Sequence, residues 1–487
     1  MKILFHARNC EWLGVEYLMA GLLEDGHEVD LAFDCGVGDQ DIRIPWMARF
    51  LAVEKTLRHK VRTFKPDLIA SCVLTNTWAA ARETYRLFHQ ETSAPIIAGG
   101  PHATAAPIEI LSEKEVTAVC IGEGDSALRE YCKKAADGLP VDDVRNFWVR
   151  QGDGTIKKNP LRPLISDLDE LPAPYKDLFY ERGAFHHRSY LMTGRGCPYR
   201  CTFCSSGYYQ KLYDNPAGYV RRHSVQRVIE MCRSDMDRFP IREFFFYDET
   251  FILDESWVED FSQRYRTEIA LPFKVLLRPG TFKRNTLEHL KRAGLLYVDV
   301  GVETGNERIR KEVLGKHIDN RTIMESCAVI KHAGIGLTLL LMVGCPQERP
   351  EHMEETYRMV SRIRPDGVVM HCFYPFLGTP AWDMALEEGW ITKANDSALR
   401  QGQGGYREAT TLLENPHKEA AKKWFILMPL CAKLPRWAHP LVLRLPLIVP
   451  VRILSSFCTS IPRNLWFRFK EFLRMLYKQR LLASTIR

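Results

Sequence analysis

The sequence lacks an opening segment that reads as an export signal. MKILFHARNCEWLG has one lysine and a short apolar run broken by His6, Arg8 and Asn9, with no long apolar core or small-residue cleavage site. A cytoplasmic, reducing setting is therefore expected, and the opening reads better as a β-strand. Cysteine is too sparse for a disulfide scaffold, at fourteen in 487 residues, so clustered cysteines become metal or catalytic candidates. Internal repeats and low-complexity tracts are also missing. What is present is a globular composition, 46% hydrophobic and 26% charged, long enough for two or three domains. The net charge of +7 is uneven: residues 418–487 hold fourteen lysines and arginines against two acids, leaving the first 417 residues at about −5. That excludes a nucleic-acid-binding core and places an anionic partner near the C-terminus.

Residues 1–140 alternate short apolar runs with helical patterns, the sign of a doubly wound α/β sheet. MKILF, EVDLAF, DLIASCV, PIIAGG and TAVCIG read as strands. Helices are expected over VEYLMAGLLEDG, around 46–64, near 78–91 and from Ser126. Ligands on such sheets bind at the carboxyl ends of the strands. Those ends carry Gly99, Gly100 and His102, and then Gly122, Glu123, Gly124 and Asp125. Prolines at 140, 160, 163, 172 and 174 mark residues 141–187 as a linker. Over 188–385 the strands RSYLMTG, REFFFYDETF, PFKVLLRPG, YVDVGVE, IGLTLLLMVG and GVVMHCFYP alternate with helices. Six such units suggest a partial (β/α) barrel with its chemistry at the C-terminal strand ends. Residues 386–487 form a helical, basic and hydrophobic C-terminal region.

Cys197, Cys201 and Cys204 lie in TGRGCPYRCTFCSSG, a C-x3-C-x2-C spacing between glycines and just after a strand. Thiolates are soft ligands for zinc or iron–sulfur centres. Three from one loop would leave one iron of a four-iron cluster open. The alternatives are a structural zinc completed by Cys232, His186 or His187, or reduced cysteines without a metal.

The spacing, with the aromatic Phe203 before the last cysteine, resembles the signature of radical S-adenosylmethionine enzymes. The resemblance implies that the three cysteines hold a [4Fe–4S] cluster whose fourth iron chelates S-adenosylmethionine. It also implies reductive cleavage to methionine and a 5′-deoxyadenosyl radical, with the protein supplying orientation and exclusion of water. Phe203, Asp248, Glu249, Thr250, Arg278 and Glu303 match family positions around the cosubstrate. LMVGCPQER resembles the strand end near the adenine, and YPFLGTP the family's late loop. A helix N-cap is the competing role for Asp248, Glu249 or Thr250, and a mutual salt bridge that for Arg278 and Glu303.

The first 140 residues are similar to the B12-binding domain that precedes the barrel in one large subfamily, through WLGVEYLMAGLLEDGHEV, IIAGGPHATAAPIEIL and VCIGEGDSALREY. On that likeness Gly99, Gly100, His102, Gly122, Glu123 and Gly124 are the cobalamin-binding candidates. The glycines alternatively serve tight turns. No D-x-H-x-x-G motif occurs, and His6 lacks its Asp and Gly, so a bound cobalamin would be base-off without a histidine from that motif. The subfamily includes class B-like methyltransferases and the anaerobic magnesium-protoporphyrin ester cyclase type. The resemblance therefore implies methyl transfer to an unactivated carbon, with cyclisation or rearrangement as the alternative. A non-catalytic iron–sulfur or zinc protein is the reading from another class. The implied partners are a small-molecule substrate and a reductant such as flavodoxin or ferredoxin, and the hydrophobic, basic tail points to a substrate of amphiphilic character.

Residues 424–461 mix apolar residues with Lys433, Arg436, Arg444 and Arg452. A span needs about 20 mostly uncharged residues, and a central arginine costs about 2.5–3.5 kcal/mol. The expectation is peripheral contact with the inner membrane face, with Trp424, Trp437 and Trp466 at the boundary. A helical lid on the barrel is the compatible alternative.

Overall fold

The structure, a computed structural model, describes residues 1–36, 53–213, 216–406, 411–447, 451 and 474–478. The first strand, β1 (Lys2–Arg8), carries five consecutive buried residues, the run expected of a parallel strand covered on both faces. It pairs with β2 (Glu28–Asp34) on one side and β3 (Leu68–Cys72) on the other, followed by β4 (Ile96–Gly99) and β5 (Val116–Cys120), all parallel. The order β2-β1-β3-β4-β5 reverses direction at β1, which makes its C-terminal edge a ligand-binding crevice. Helix Val53–Phe64 covers part of the expected 46–64 segment; the rest lies outside the described residues.

The sheet runs further than the expected linker boundary allows. Two antiparallel strands, β6 (Phe147–Arg150) and β7 (Ile156–Lys158), extend it around a turn in which Gly154 has φ +85°. β6 is only four residues long, and β7 three with a single apolar one, too short for alternation to show. The crossing segment therefore begins near 159. It plants Lys176, fully buried, with Nζ 2.8 Å from Glu16 Oε2, 2.8 Å from the Tyr190 carbonyl and 3.8 Å from Glu11. That ammonium ties the first helix of the N-terminal unit, Leu13–Glu24, to the first strand of the second.

The second sheet starts with β8 (Arg188–Leu191), after which a short antiparallel ribbon pairs β9 (Gly194–Arg195) with β10 (Arg221–Arg222). It continues through β11 (Glu243–Phe246), β12 (Phe273–Leu277), β13 (Leu295–Glu303), β14 (Gly336–Val343) and β15 (Gly367–Cys372). The six strands are parallel in the order β15-β14-β13-β12-β11-β8, an open half barrel. All six strands read from the sequence are present. Along β12, Phe273, Val275 and Leu277 are buried with the helix residues Tyr265, Leu287 and Leu290, while Lys274 and Leu276 are half-buried. Alternation thus gives the odd positions to the helical layer and the even ones to the concave interior.

Helix Lys418–Lys433 packs on β14, β15 and helix Pro350–Ile363. Trp424, expected at a membrane boundary, is instead buried and stacked on Tyr357 at 5.2 Å between ring centres. Trp466 and Arg452 lie outside the described residues. Among the described residues, no helix is long and apolar enough to cross a membrane.

Candidate active site

The cysteine loop leaves the C-terminal end of β8 through Gly194 and Gly196. A Cβ on Gly196, at φ +90°, would stand 2.3 Å from the Tyr219 carbonyl oxygen, so only glycine lets the chain turn here. Cys204 caps helix Ser205–Leu212, and its N–H donates to the Cys201 carbonyl at 3.1 Å. The loop is pinned from both sides. Thr202 donates from N–H to Leu314 O (3.0 Å) and from its hydroxyl to Val313 O (2.7 Å). Gln210 Nε2 donates to Cys197 O at 2.5 Å, while Arg200 holds its Oε1 at 2.9 Å. Phe203 packs against the apolar cluster of Leu314 and Trp382.

The three thiols are free and half-buried. Burial raises Cys197 and pushes Cys204 up to about 12, so thiolates at these positions call for a bound metal charge. None of the fourth zinc ligands considered from the sequence lies beside the loop. Cys232 is buried in the core of helix Val225–Arg238. His186 and His187 precede β8, with His187 Nδ1 2.9 Å from Pro240 O, a strand length of roughly 13 Å from the loop. Among the described residues, no three His, Cys, Asp or Glu side chains gather around a single-ion position. Three soft donors on a fixed loop, without a fourth among the described residues, fit a four-iron cluster with one open iron.

Around this loop the expected cosubstrate residues separate into two groups. Asp248, Glu249 and Thr250 line a cavity of about 570 Å³ together with Gly196, Arg222 and Trp257. Asp248 Oδ1 accepts from the Thr193 N–H (2.9 Å) and hydroxyl (2.8 Å), whereas Oδ2 is buried without a hydrogen-bond partner. Burial pushes the Asp248 carboxyl up to about 7. The Thr250 hydroxyl and Arg222 Nη1 are likewise buried and unpartnered, the guanidinium lying 4.3 Å from the Trp257 ring centre. Neither Asp248 nor Thr250 caps a helix; that role belongs to Asp254, which accepts from Ser256 and Trp257 N–H. Glu249 opens into the cavity, and its charge bears on Cys197 and Cys204.

Arg278 and Glu303 lie outside that cavity lining, at the ends of β12 and β13. The Arg278 guanidinium sits 3.7 Å from the Tyr199 ring centre, with Nη1 3.8 Å from Cys201 Sγ. The anticipated Arg278–Glu303 bridge gives way to a different pair: Glu303 Oε1 meets Lys316 Nζ at 2.8 Å, and Lys316 also donates to Gly301 O at 2.6 Å. The register of β13 shifts between Gly301 and Glu303, and Glu303 stands at φ +67°. A bulge and a left-handed non-glycine residue cost energy and concentrate beside active sites. Sequence reading missed Glu348, whose buried carboxylate accepts from Gly344 N–H (2.7 Å) and Cys345 N–H (3.1 Å) and shapes the turn after β14. It also missed Gln210, six residues beyond the last cysteine; neither has a signal other than spacing from a glycine or a cysteine.

In the N-terminal unit the glycine-bearing strand ends face helix Ser205–Leu212. Tyr208 donates to Thr104 O at 3.1 Å, and the Tyr213 hydroxyl accepts from the Glu123 N–H at 3.0 Å. Gly99 has only Cys120 Cβ near its own Cβ position, at 3.7 Å, and Gly14 has nothing within 4 Å. Bare backbone at the end of β4 and in the first turn of helix Leu13–Glu24 fits a broad, flat ligand. Gly100 and Gly122 are used internally: their Cβ positions fall 2.8 Å from Cys72 Sγ and 2.3 Å from the Tyr213 hydroxyl. Glu123 pairs with Arg221, and Gly124 lies against Leu18 and Cys120. His102 is buried beside Trp78 with its pKa lowered to about 4 by burial, a core histidine. His6 is held inside the sheet by Ser71 at 2.9 Å.

Residues 191–360 match the Radical SAM superfamily and residues 7–131 the B12 binding domain. An uncharacterized methyltransferase, PH0819, of Pyrococcus horikoshii is 26% identical over 79% of this chain and 80% of its own length. The anaerobic magnesium-protoporphyrin IX monomethyl ester cyclase of Rubrivivax gelatinosus is 24% identical over 77% of this chain and 69% of its own. The solved cobalamin-dependent S-adenosylmethionine radical enzyme OxsB, with aqua-cobalamin and S-adenosylmethionine bound, shares the fold: TM-score 0.68, 15% identity, 100% of this chain and 79% of that one. With both domain families matched in this order, the chain belongs to the radical S-adenosylmethionine enzymes that carry a B12-binding domain ahead of the catalytic barrel.

Proposed function

We propose that this enzyme transfers a methyl group to an unactivated carbon of a small amphiphilic substrate, drawing electrons from a reductant of the flavodoxin or ferredoxin type. The observation that carries the reading is the direct docking of the helix after the cysteine loop onto the strand ends of the B12-binding domain, through Tyr208 and Tyr213. It brings the helix that follows the thiols directly against the edge assigned to cobalamin. Bound there, the cluster with S-adenosylmethionine supplies a carbon-centred radical for hydrogen abstraction, and cobalamin supplies the methyl group.

The chain's own residues do the rest. Cys197, Cys201 and Cys204 hold the cluster, with Gln210 and Thr202 fixing their loop. Phe203 seats that loop on the apolar cluster beneath it. Arg278, within 4 Å of Cys201, offers the only cation that this loop meets directly through a thiol among the described residues, and suits a carboxylate. Asp248, Glu249 and Thr250 present acceptors to an amino group, and Glu303 a carboxylate to ribose hydroxyls. Gly99, with Gly14, leaves backbone bare for the corrin. The protein's setting is proposed as the cytoplasm.

Peripheral membrane contact is part of the proposal, and its support lies beyond the buried Trp424. Leu434, Trp437, Leu441 and Leu445 are 42%, 77%, 64% and 37% exposed along one short stretch, and Arg444 beside them is exposed too. An apolar row with a cation and a basic tail suits an anionic lipid surface.

Anaerobic, iron- and cobalamin-loaded protein given methyl-labelled S-adenosylmethionine and reductant is expected to release 5′-deoxyadenosine and to place label in the cobalamin fraction. Cys201→Ala is expected to abolish the first product. Nucleoside release without label transfer would favour the ring-closing chemistry named for the Rubrivivax relative. Iron-free protein would overturn the proposal.

A further inference from the structure

We infer that the β9–β10 ribbon is a strut that sets the spacing between the B12-binding domain and the cysteine loop, with Arg195 and Arg221 as its positioning residues. The inference rests on the function proposed above for its purpose, while its structural basis stands alone. The ribbon is tightly closed. A Cβ on Gly194 would stand 2.5 Å from Arg221 O, Gly196 is equally crowded by Tyr219, and His223 N–H donates to Thr193 O at 2.8 Å. One end enters the thiol loop directly, since Arg195 is two residues before Cys197.

The other end grips the loop of residues 122–124 and the first residue of the following helix, Asp125, at the carboxyl edge of the N-terminal sheet. Arg195 donates to both Asp125 oxygens, at 2.8 and 3.0 Å, and Arg221 donates to both oxygens of Glu123. Arg221 also bonds Ile165 O at 2.8 Å, and the Arg195 guanidinium lies 5.2 Å from the Tyr17 ring centre. The four charged side chains are 16%, 13%, 5% and 25% exposed for Arg195, Asp125, Arg221 and Glu123. Two bidentate pairs of this burial define direction as well as distance. Gly122 completes the grip, because any side chain there would collide with Tyr213.

Hydrogen abstraction served by one cofactor and methyl delivery served by the other both have to reach a single substrate carbon, where a misplacement of about 1 Å costs about a hundredfold in rate, and no other ribbon among the described residues joins the thiol loop to that sheet edge. Glu123 is thus a strut residue instead of a corrin contact.

The test compares wild type with Arg195→Gln, Arg195→Lys and Tyr213→Phe. In cofactor-free protein, hydrogen exchange over residues 194–204 should accelerate about tenfold or more in Arg195→Gln, with β13 and β14 unchanged. In loaded protein, the pulsed-EPR distance distribution between cob(II)alamin and the reduced cluster should broaden. Arg195→Lys should restore charge without bidentate geometry and fall between. Tyr213→Phe, which leaves both arginine pairs intact, should keep exchange and distance near wild type and so separates the strut from the helix docking, and Arg195→Lys carries the test should Arg195→Gln fail to fold. Unchanged exchange and an unchanged distance in soluble Arg195 variants would overturn the strut. Failure to bind cobalamin would remove the proposed reaction while the exchange arm still decides the strut.

Discussion

Replacing Lys176 by methionine removes an ammonium fully buried between the two units. The structure sets the scale. Lys176 and Glu16 are both 0% exposed at the side chain, 2.8 Å apart, with Glu11 and the Tyr190 carbonyl as further partners. Breaking such a pair from one side costs about 3–5 kcal/mol, because the remaining carboxylates keep their desolvation penalty. For a unit of this size that is a fall of about 6–20 °C in melting temperature.

The deficit also has a pH sign. Burial pushes Glu16 up to about 7 and Asp235 up to about 6 even beside Lys176. A carboxyl whose folded pKa lies above its unfolded value leaves stability untouched below the unfolded pKa. It subtracts stability as pH rises from about 4 to the folded value, since the unfolded chain releases its proton first. Lys176 works the opposite way: its pKa is raised by the acids against the pull of burial, so its stabilisation is complete below the usual ammonium range. Without it, the carboxyls protonate at low pH and blunt the loss, so the methionine variant should be closest to wild type near pH 5 and furthest above pH 7. Circular-dichroism melts at pH 5 and 7.5, with Lys176→Met/Glu16→Gln as the control that also removes the nearest carboxylate, check this. A melt within about 2 °C of wild type at pH 7.5, or a deficit that shrinks as pH rises, would refute the reasoning.

Other expectations follow the same logic. Asp248→Asn removes a carboxyl raised to about 7 by burial, so its stability relative to wild type should climb between pH 5 and 7.5 in denaturant titrations. Gly301→Ala places a Cβ 2.8 Å from Lys316 Nζ and 2.9 Å from Glu303 Oε1. Displacing that pair should cost about 1–3 kcal/mol and weaken S-adenosylmethionine binding in calorimetry. Trp437→Ser with Leu441→Ser should lower flotation with phosphatidylglycerol vesicles at least tenfold, given about 1.5–3 kcal/mol per large apolar side chain. Equal flotation would remove the membrane contact.

What was legible in the sequence was chemistry carried by spacing within one segment. The three thiols, the Asp248–Thr250 strand end, Arg278 and the glycine pairs all lie where strand periodicity placed them, because a parallel strand announces itself by a buried run and its end by the first polar residues. The barrel's six strands were legible for the same reason. The pairings were not. Glu303 takes Lys316, thirteen residues on, because the bulge at Gly301 rotates it away from the regular β13 register. The hairpin Phe147–Lys158 stayed hidden because its outer strand, IKK, carries one apolar residue.

The seam between the two units was the least legible part, and the reason is physical. Glu123, Asp125, Arg195 and Arg221 each sit in a polar loop or ribbon, where a charge normally means solvent; only the fold shows that the two loops face one another. The same holds for Tyr213, whose hydroxyl occupies the space that Gly122 leaves open. A glycine at a strand end therefore has two readings that sequence cannot separate, a floor for a ligand or a socket for a neighbour. Gly99 fits the first and Gly122 the second. Because sockets and floor share one sheet edge, a ligand resting on Gly99 would lie beside the loop that the arginine pairs pin, and docking of the two units would then be linked to cofactor binding.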